Sequence, residues 1–240
     1  MEAIVDNSEV YSAMVSEQTT GGKVWDAARV MLQFLDATPK MLANRPTVLE
    51  LGSGTGWLGM TIACRFELTS MVMTEMLEGQ ALTWLEHNLA RNRSAGLPVH
   101  VVSAVALDWG WVNQPGTHGA VLGAHWDIVI GSDLVYNEAG VRMLPQLFAA
   151  LANPGTRVLY AHTLNRFEFL DEQFLGALRA CGLRYTEVWP EPTACTDGQQ
   201  SSGHGAGDGD FEFSGELFPE MRVVVLLIER DRKEATNSQL

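Results

Sequence analysis

Thr47-Val48-Leu49-Glu50-Leu51-Gly52-Ser53-Gly54-Thr55-Gly56 is the stretch that decides how this chain folds. Its first half is apolar apart from Glu50 and opens on two β-branched residues, so it reads as a short strand buried on both faces. Glycines at 52, 54 and 56 then make a tight turn, and Trp57 to Phe66 resumes as a helix. A strand that passes through a glycine turn directly into a helix is the first unit of an alternating α/β sheet.

The alternation continues outward on both sides. Upstream, Val24, Ala27, Ala28, Met31, Leu32 and Leu35 recur at helical spacing and predict a helix over 24–36, closed before Arg45-Pro46. Downstream, strands are predicted at 70–74, 99–102, 126–130 and 157–161, with helices over 78–92, 139–152 and 167–180. Leu183 to Trp189 and Arg222 to Glu229 read as two last strands. They are joined by a loop rather than a helix, so they pair as an antiparallel hairpin at one edge. Seven strands of this kind predict one doubly wound, Rossmann-like α/β sheet with helices on both faces, running from about residue 21 to the end. Residues 1–20 are polar and aperiodic and read as an arm, loose or docked at an edge. Residues 190–215, rich in Gly, Ser, Asp and Gln, read as a mobile loop.

Composition narrows the class. A chain of 240 residues with 46% hydrophobic residues has ample material for one core. No apolar run reaches the ~18 residues that a membrane span requires, and the N-terminus lacks the basic-then-apolar pattern of a secretory signal. Cys64, Cys181 and Cys195 are an odd set at unrelated spacings, which points to a reducing compartment, the cytoplasm with the nucleus as the alternative. The histidines form no i,i+4 pair, so no metal is assigned. The net charge of −13 repels phosphate backbones and disfavours a nucleic-acid partner. The same charge also serves plain solubility, so it does not by itself identify a protein partner.

The glycine turn lies where open α/β sheets bind ligands, beyond the carboxyl ends of the strands. Glu75, at the end of the second strand, is placed to accept hydrogen bonds from both hydroxyls of a ribose. Turn and carboxylate together signal a nucleoside, of which two kinds compete. Gly54-Thr55-Gly56-Trp57-Leu58-Gly59 fits the dinucleotide pattern G-x-G-x-x-G, with Glu75 about 20 residues on. Read from Gly52 instead, the pattern puts Trp57 where a third glycine should allow close helix–strand packing. Glu50 would repel a pyrophosphate but can accept the amino group of a methionine moiety. These features favour S-adenosyl-L-methionine over a nicotinamide dinucleotide. Leu107-Asp108-Trp109, just past the third strand, is placed for an adenine edge, with Trp109 packing on the base or closing the core.

Four stretches carry a resemblance to a known family. They are Gly22-Lys23-Val24-Trp25-Asp26-Ala27-Ala28, Val48 to Gly56, Leu107-Asp108-Trp109-Gly110, and Asp127-Ile128-Val129-Ile130-Gly131-Ser132-Asp133-Leu134-Val135-Tyr136. In order and spacing the chain resembles the family-16 seven-β-strand protein-lysine methyltransferases, of the methyltransferase-like 21 type. The last stretch looks like their Asp-x-x-Tyr signature. The resemblance implies cofactor contacts from Trp25, Gly52, Ser53, Gly54, Glu75, Trp109 and Ser132, beside the Glu50 contact read from the turn itself, and catalytic roles for Asp133 and Tyr136. It also implies a protein substrate, such as a chaperone or a translation factor, in the cytosol. Where the family commonly has Asp after the second strand, this chain has Glu75.

Lysine methylation poses a definite electrostatic problem at Asp133. A free lysine amine has a pKa near 10.4, so only about one in a thousand is neutral near pH 7.4, a handicap of roughly 4 kcal/mol. The sulfonium charge and burial push that pKa down, whereas Asp133 alone would push it up. Asp133 is therefore expected to orient the amine by a hydrogen bond, with Tyr136 walling the channel. The other reading has Asp133 capping the segment after the strand and Tyr136 as a half-buried core aromatic. His162, after the fifth strand, is expected on the same rim, more as structure than as chemistry. A histidine, chain terminus or small molecule as acceptor stays open, as does a partner-docking module that keeps the pocket without catalysis.

Overall fold

Successive side chains of the first strand, β1 (Thr47–Leu51), enter two different cores. Val48 joins one apolar cluster and Leu49 and Leu51 the other, all three with no solvent exposure. This is the alternation that a strand buried on both faces requires. The first core is completed by α1 (Asp26–Ala37), α2 (Trp57–Arg65) and α3 (Ala81–Ser94), through residues such as Met31, Leu35, Met60 and Leu85. The second is completed by α4 (Glu138–Leu151) and α5 (Glu168–Ala180), through Leu144, Phe148, Phe174 and Leu178.

The computed structural model describes residues 1–5, 22–113, 119–190 and 221–231. Within them lie β2 (Ser70–Glu75), β3 (Val102–Ala106), β4 (Ile128–Ser132), β5 (Arg157–Leu164), β6 (Leu183–Trp189) and β7 (Arg222–Arg230). They form one seven-stranded sheet in the order β3-β2-β1-β4-β5-β7-β6. The first five strands of that order are parallel, and β7 runs antiparallel to both β5 and β6. The expected antiparallel pair is present, with the last strand slotted between β5 and β6 so that β6 is the outer edge. Strand order reverses between β1 and β4, which opens a crevice at their carboxyl ends.

β3 and β4 start later than the sequence predicts, at Val102 rather than Val99 and at Ile128 rather than Trp126. Val99 is fully buried, but its carbonyl accepts the Val102 N–H at 3.2 Å and closes a turn ahead of the ladder. Trp126 is buried too, and its indole N–H donates to the Val121 carbonyl at 2.8 Å. Asp127 then braces β1 from outside the strand, its carboxylate accepting from the Thr47 N–H at 2.8 Å.

The start of the expected arm is docked. The Ala3 N–H donates to the Thr61 hydroxyl at 3.1 Å and the Ile4 N–H to the Asn92 side-chain oxygen at 2.8 Å. Asn92 donates back to the Ile4 carbonyl and to the Asn88 carbonyl, and Asn88 donates to the Thr55 carbonyl in the glycine turn. The rest of the arm and almost all of the 190–215 loop fall outside the described residues.

Candidate active site

Backbone conformation fixes the glycine turn first. Gly52, Gly54 and Gly56 all hold positive φ, at 59°, 54° and 77°, a region that L side chains enter only under strain. At Gly52 a side chain is also excluded by space, since a Cβ there would stand 2.5 Å from a Leu134 methyl. The Ser53 N–H donates to the Thr74 carbonyl and the Gly54 N–H to the Glu75 carboxylate at 2.8 Å, so the turn hangs from the end of β2.

Close packing between α2 and the sheet is made by Gly59, not at Trp57. A Cβ on Gly59 would lie 2.5 Å from Glu50 Oε2 and 2.6 Å from the Met71 methyl. Trp57 stands two residues earlier, at the first position of the helix and in the cavity wall. Its bulk therefore does not obstruct helix–strand contact, and that reason for setting a dinucleotide aside fails. Burial pushes the Glu50 carboxyl up to about 8, outweighing the nearby Ser53 hydroxyl and Gly59 N–H, and the charge of Glu75 pushes in the same direction. Burial raises Glu75 as well, against the N–H groups of Gly54 and Met76 that hold it.

A cavity of about 650 Å³ opens beside the turn, at the crevice between β1 and β4. The structure brings all ten of the expected site residues to its wall. Trp25 lines it from the N-cap of α1; Glu50, Gly52, Ser53, Gly54 and Glu75 from the ends of β1 and β2; Trp109 from beyond β3; and Ser132, Asp133 and Tyr136 from the end of β4. Reasoning from sequence did not assign contacts to Asn137 and Met143, which also line the cavity. Both follow from α4 starting directly after the Asp-x-x-Tyr segment. Glu50 Oε2, the Ser53 hydroxyl and Asp133 Oδ2 are buried with no hydrogen-bond partner among the described residues. Buried polar atoms without full hydrogen bonding are costly, and these three belong to residues of the cavity wall, which suits a ligand that carries its own donors. The amino group and ribose of S-adenosylmethionine supply such donors, and Glu50, Ser53 and Glu75 are the residues that would hold them.

Asp133 does not cap the following helix. That task falls to Asn137, whose side chain accepts the Gly140 N–H at 2.9 Å. Asp133 instead holds a positive φ of 52°, rare for a non-glycine residue, and is over-determined from β5. Its N–H donates to the Ala161 carbonyl at 3.0 Å, and its Oδ1 accepts the Thr163 N–H at 3.0 Å. The next two N–H groups, of Leu134 and Val135, both donate to the Tyr160 hydroxyl, at 2.9 and 3.1 Å. Burial pushes the Tyr160 phenol well above its ordinary range, so it stays a neutral acceptor there.

His162 lies behind this platform rather than on the rim. It is 1% exposed, its Nε2 is 2.8 Å from Asp171 Oδ1, and its ring stacks on Tyr160 at 5.5 Å. Asp171 also accepts the Asn165 N–H at 2.8 Å, which ties down the connection from β5 to α5. That connection places Arg166, a residue the sequence reading missed, 3.0 Å from Asp133 Oδ2.

Comparison with known proteins gives the family and the fold. A sequence model for a family described as lysine methyltransferase matches residues 6–180. Protein-lysine N-methyltransferase EFM3 of Chaetomium thermophilum is 32% identical over 198 residues, which cover 76% of this chain and 53% of that protein. Protein N-lysine methyltransferase METTL21A of Danio rerio is 33% identical over 156 residues, covering 65% of this chain and 66% of that one. The chain thus spans about half the length of the first of these relatives and two thirds of the second. A crystal structure of a methyltransferase from Pyrococcus furiosus shares the fold at a TM-score of 0.50 and 17% identity, covering 85% of this chain and 83% of that one.

Proposed function

Because the chain belongs to the lysine methyltransferase family, we propose that it transfers a methyl group from S-adenosylmethionine to a lysine side chain of a cytosolic protein. One observation carries the reading furthest. Asp133, whose buried Oδ2 is held by charge and not by a directed hydrogen bond among the described residues, lines the same cavity as the glycine turn and Glu75. We take residues 21–240 as the catalytic unit, with a chaperone or translation factor as the class of substrate.

When bound, S-adenosylmethionine supplies an electrophilic methyl group on a sulfonium. Everything else falls to the chain. Gly52, Ser53 and Gly54 let the backbone approach the cofactor, Glu50 takes its amino group, Glu75 its ribose hydroxyls and Trp109 the face of its base. Ser132 and Trp25 wall the two sides. Methyl transfer needs little covalent help, so holding a neutral nucleophile in line supplies most of the rate. Asp133 Oδ2 accepts one N–H of the acceptor amine and aims its lone pair into the cavity, while Tyr136 borders the channel and keeps bulk water from the amine.

The acceptor is tested on its product. Purified protein is incubated with methyl-labelled S-adenosylmethionine and a cell lysate, and the labelled protein is hydrolysed to amino acids. Methyllysine is expected, with a kcat/KM that climbs well above pH 7. Methylhistidine without methyllysine, with a rate that levels off near the imidazole pKa of about 6.5, overturns the assignment.

A further inference from the structure

We propose that Arg166 is a positioning residue that neutralises Asp133, so that the acceptor lysine docks against the pair as a free amine instead of being trapped as an ammonium. The inference rests on the lysine reading above and addresses the problem that reading leaves: a bare carboxylate stabilises the protonated, unreactive form of its own substrate.

The geometry supplies the remedy. An Arg166 guanidinium nitrogen stands 3.0 Å from Asp133 Oδ2, yet Oδ2 has no directed hydrogen bond. Charge is compensated without a directed hydrogen bond to Oδ2 among the described residues, so an N–H that reaches this buried oxygen displaces none. Oδ1 is already spent on the Thr163 N–H, so the acceptor has one oxygen to address. The guanidinium also lies 5.1 Å over the ring of Trp25, a residue of the cavity wall. A planar cation stacked on an aromatic face is held in orientation as well as in charge. Asn165, at a positive φ of 63° and anchored to Asp171, turns the chain so that Arg166 points back to the end of β4.

The other charged and titratable groups do not replace it. Lys23 sits over the same Trp25 ring, its Nζ 3.9 Å from the centroid, and lines the cavity without an ion pair to Asp133 among the described residues. Asp26 opens α1 and Glu138 opens α4. Glu50, Glu75, Asp108 and Tyr136 line the cavity, and no cation is added by any of them. Behind Asp133, the Tyr160 phenol is neutral and His162 is committed to Asp171.

The test compares wild type, Arg166→Met and Arg166→Lys. Initial rates of label from S-adenosylmethionine into the principal labelled lysate band are measured from pH 6.5 to 10. Removing the cation exposes the amine to an uncompensated carboxylate, a perturbation of ~1 pKa unit for a partly exposed pair. In Arg166→Met the rising limb is expected to move up by about that unit. Its rate is then about tenfold lower at pH 7 and converges on wild type at the alkaline end. Arg166→Lys should keep the limb near its wild-type place, and S-adenosylhomocysteine affinity, read by calorimetry, should hold in both variants. An equal loss at every pH would show a merely structural ion pair and overturn the inference. A faster Arg166→Met enzyme at pH 7 would do the same, by showing that Arg166 obstructs the acceptor. Methylhistidine as the wild-type product sinks the underlying reading instead, whereas methyllysine with an unmoved limb sinks only this one.

Discussion

The two ends of the cavity treat a buried carboxylate in opposite ways. At the β1–β2 end, Glu50 feels the charge of Glu75, Glu75 accepts backbone N–H groups, and neither makes an ion pair among the described residues. Both are pushed toward the protonated form. At the β4–β5 end, Asp133 has a guanidinium at 3.0 Å, its Oδ1 accepts the Thr163 N–H, and the following Leu134 N–H is held by the Tyr160 hydroxyl of β5. The contrast distinguishes two uses of an acid. Carboxylates without a resident cation are poised for a ligand that brings positive charge and donors with it. A carboxylate with a resident cation can fix direction without demanding charge.

The largest expected break in that contrast is at the turn. Gly54 holds a φ of 54° and donates its N–H to Glu75. Gly54→Arg strains the turn and fills the cavity, so calorimetry should register no heat with S-adenosylhomocysteine. Measurable binding by that variant would show that the cofactor lies elsewhere.

Next in size is the separation of roles. Asp133→Ala should lower turnover by about 10² or more, the scale of a lost positioning group, with S-adenosylhomocysteine affinity almost unchanged. Glu75→Ala should do the reverse, weakening affinity first and leaving turnover at saturation closer to wild type. A single variant that loses both in proportion would mean that the two ends are not separable.

The smallest effect is a slope. Glu50 ionises from about 4.5 in the unfolded chain but only near 8 when folded. As pH rises between those values the unfolded state gains by losing a proton that the folded state keeps. The contribution of Glu50 to the Tm of the ligand-free protein should therefore decline from about pH 4.5 toward 8 and then level off. Glu50→Gln should make the decline shallower, with Glu75 supplying the remainder in the same direction. Equal slopes in the two proteins would refute an unpaired Glu50.

What the sequence disclosed, and what it hid, follows from how local each signal is. β1 and β6 match their predicted limits, 47–51 and 183–189, because apolar residues and flanking breakers agree there. β3 and β4 slipped because burial does not separate a strand from a buried turn: Val99 and Trp126 are as hidden as any ladder residue. The wall of the cavity was legible since its residues sit at strand ends, in motifs a few residues long. Arg166 was not. It reaches Asp133 across 33 positions, through a left-handed Asn165 and an anchor on α5, and no short motif records that path. The one available hint was topological. Once β4 and β5 are neighbours, whatever follows β5 must face whatever follows β4.

The placement of β7 has a bearing on how the molecule is made. β5 carries the whole platform under Asp133, and its own far side is paired by β7, with His162 opposite Val224 and Thr163 opposite Val223. Residues 157–164 are synthesised well before 222–230. Until the later segment arrives, β5 is an unprotected edge with apolar side chains on both faces beside Arg157, His162 and Thr163, the kind of edge that joins other chains. On a ribosome, the glycine turn is complete long before the acceptor platform has its last neighbour. Any truncation that spares the first 220 residues but removes β7 should accordingly act through sticky, poorly soluble protein rather than through an impaired but folded enzyme.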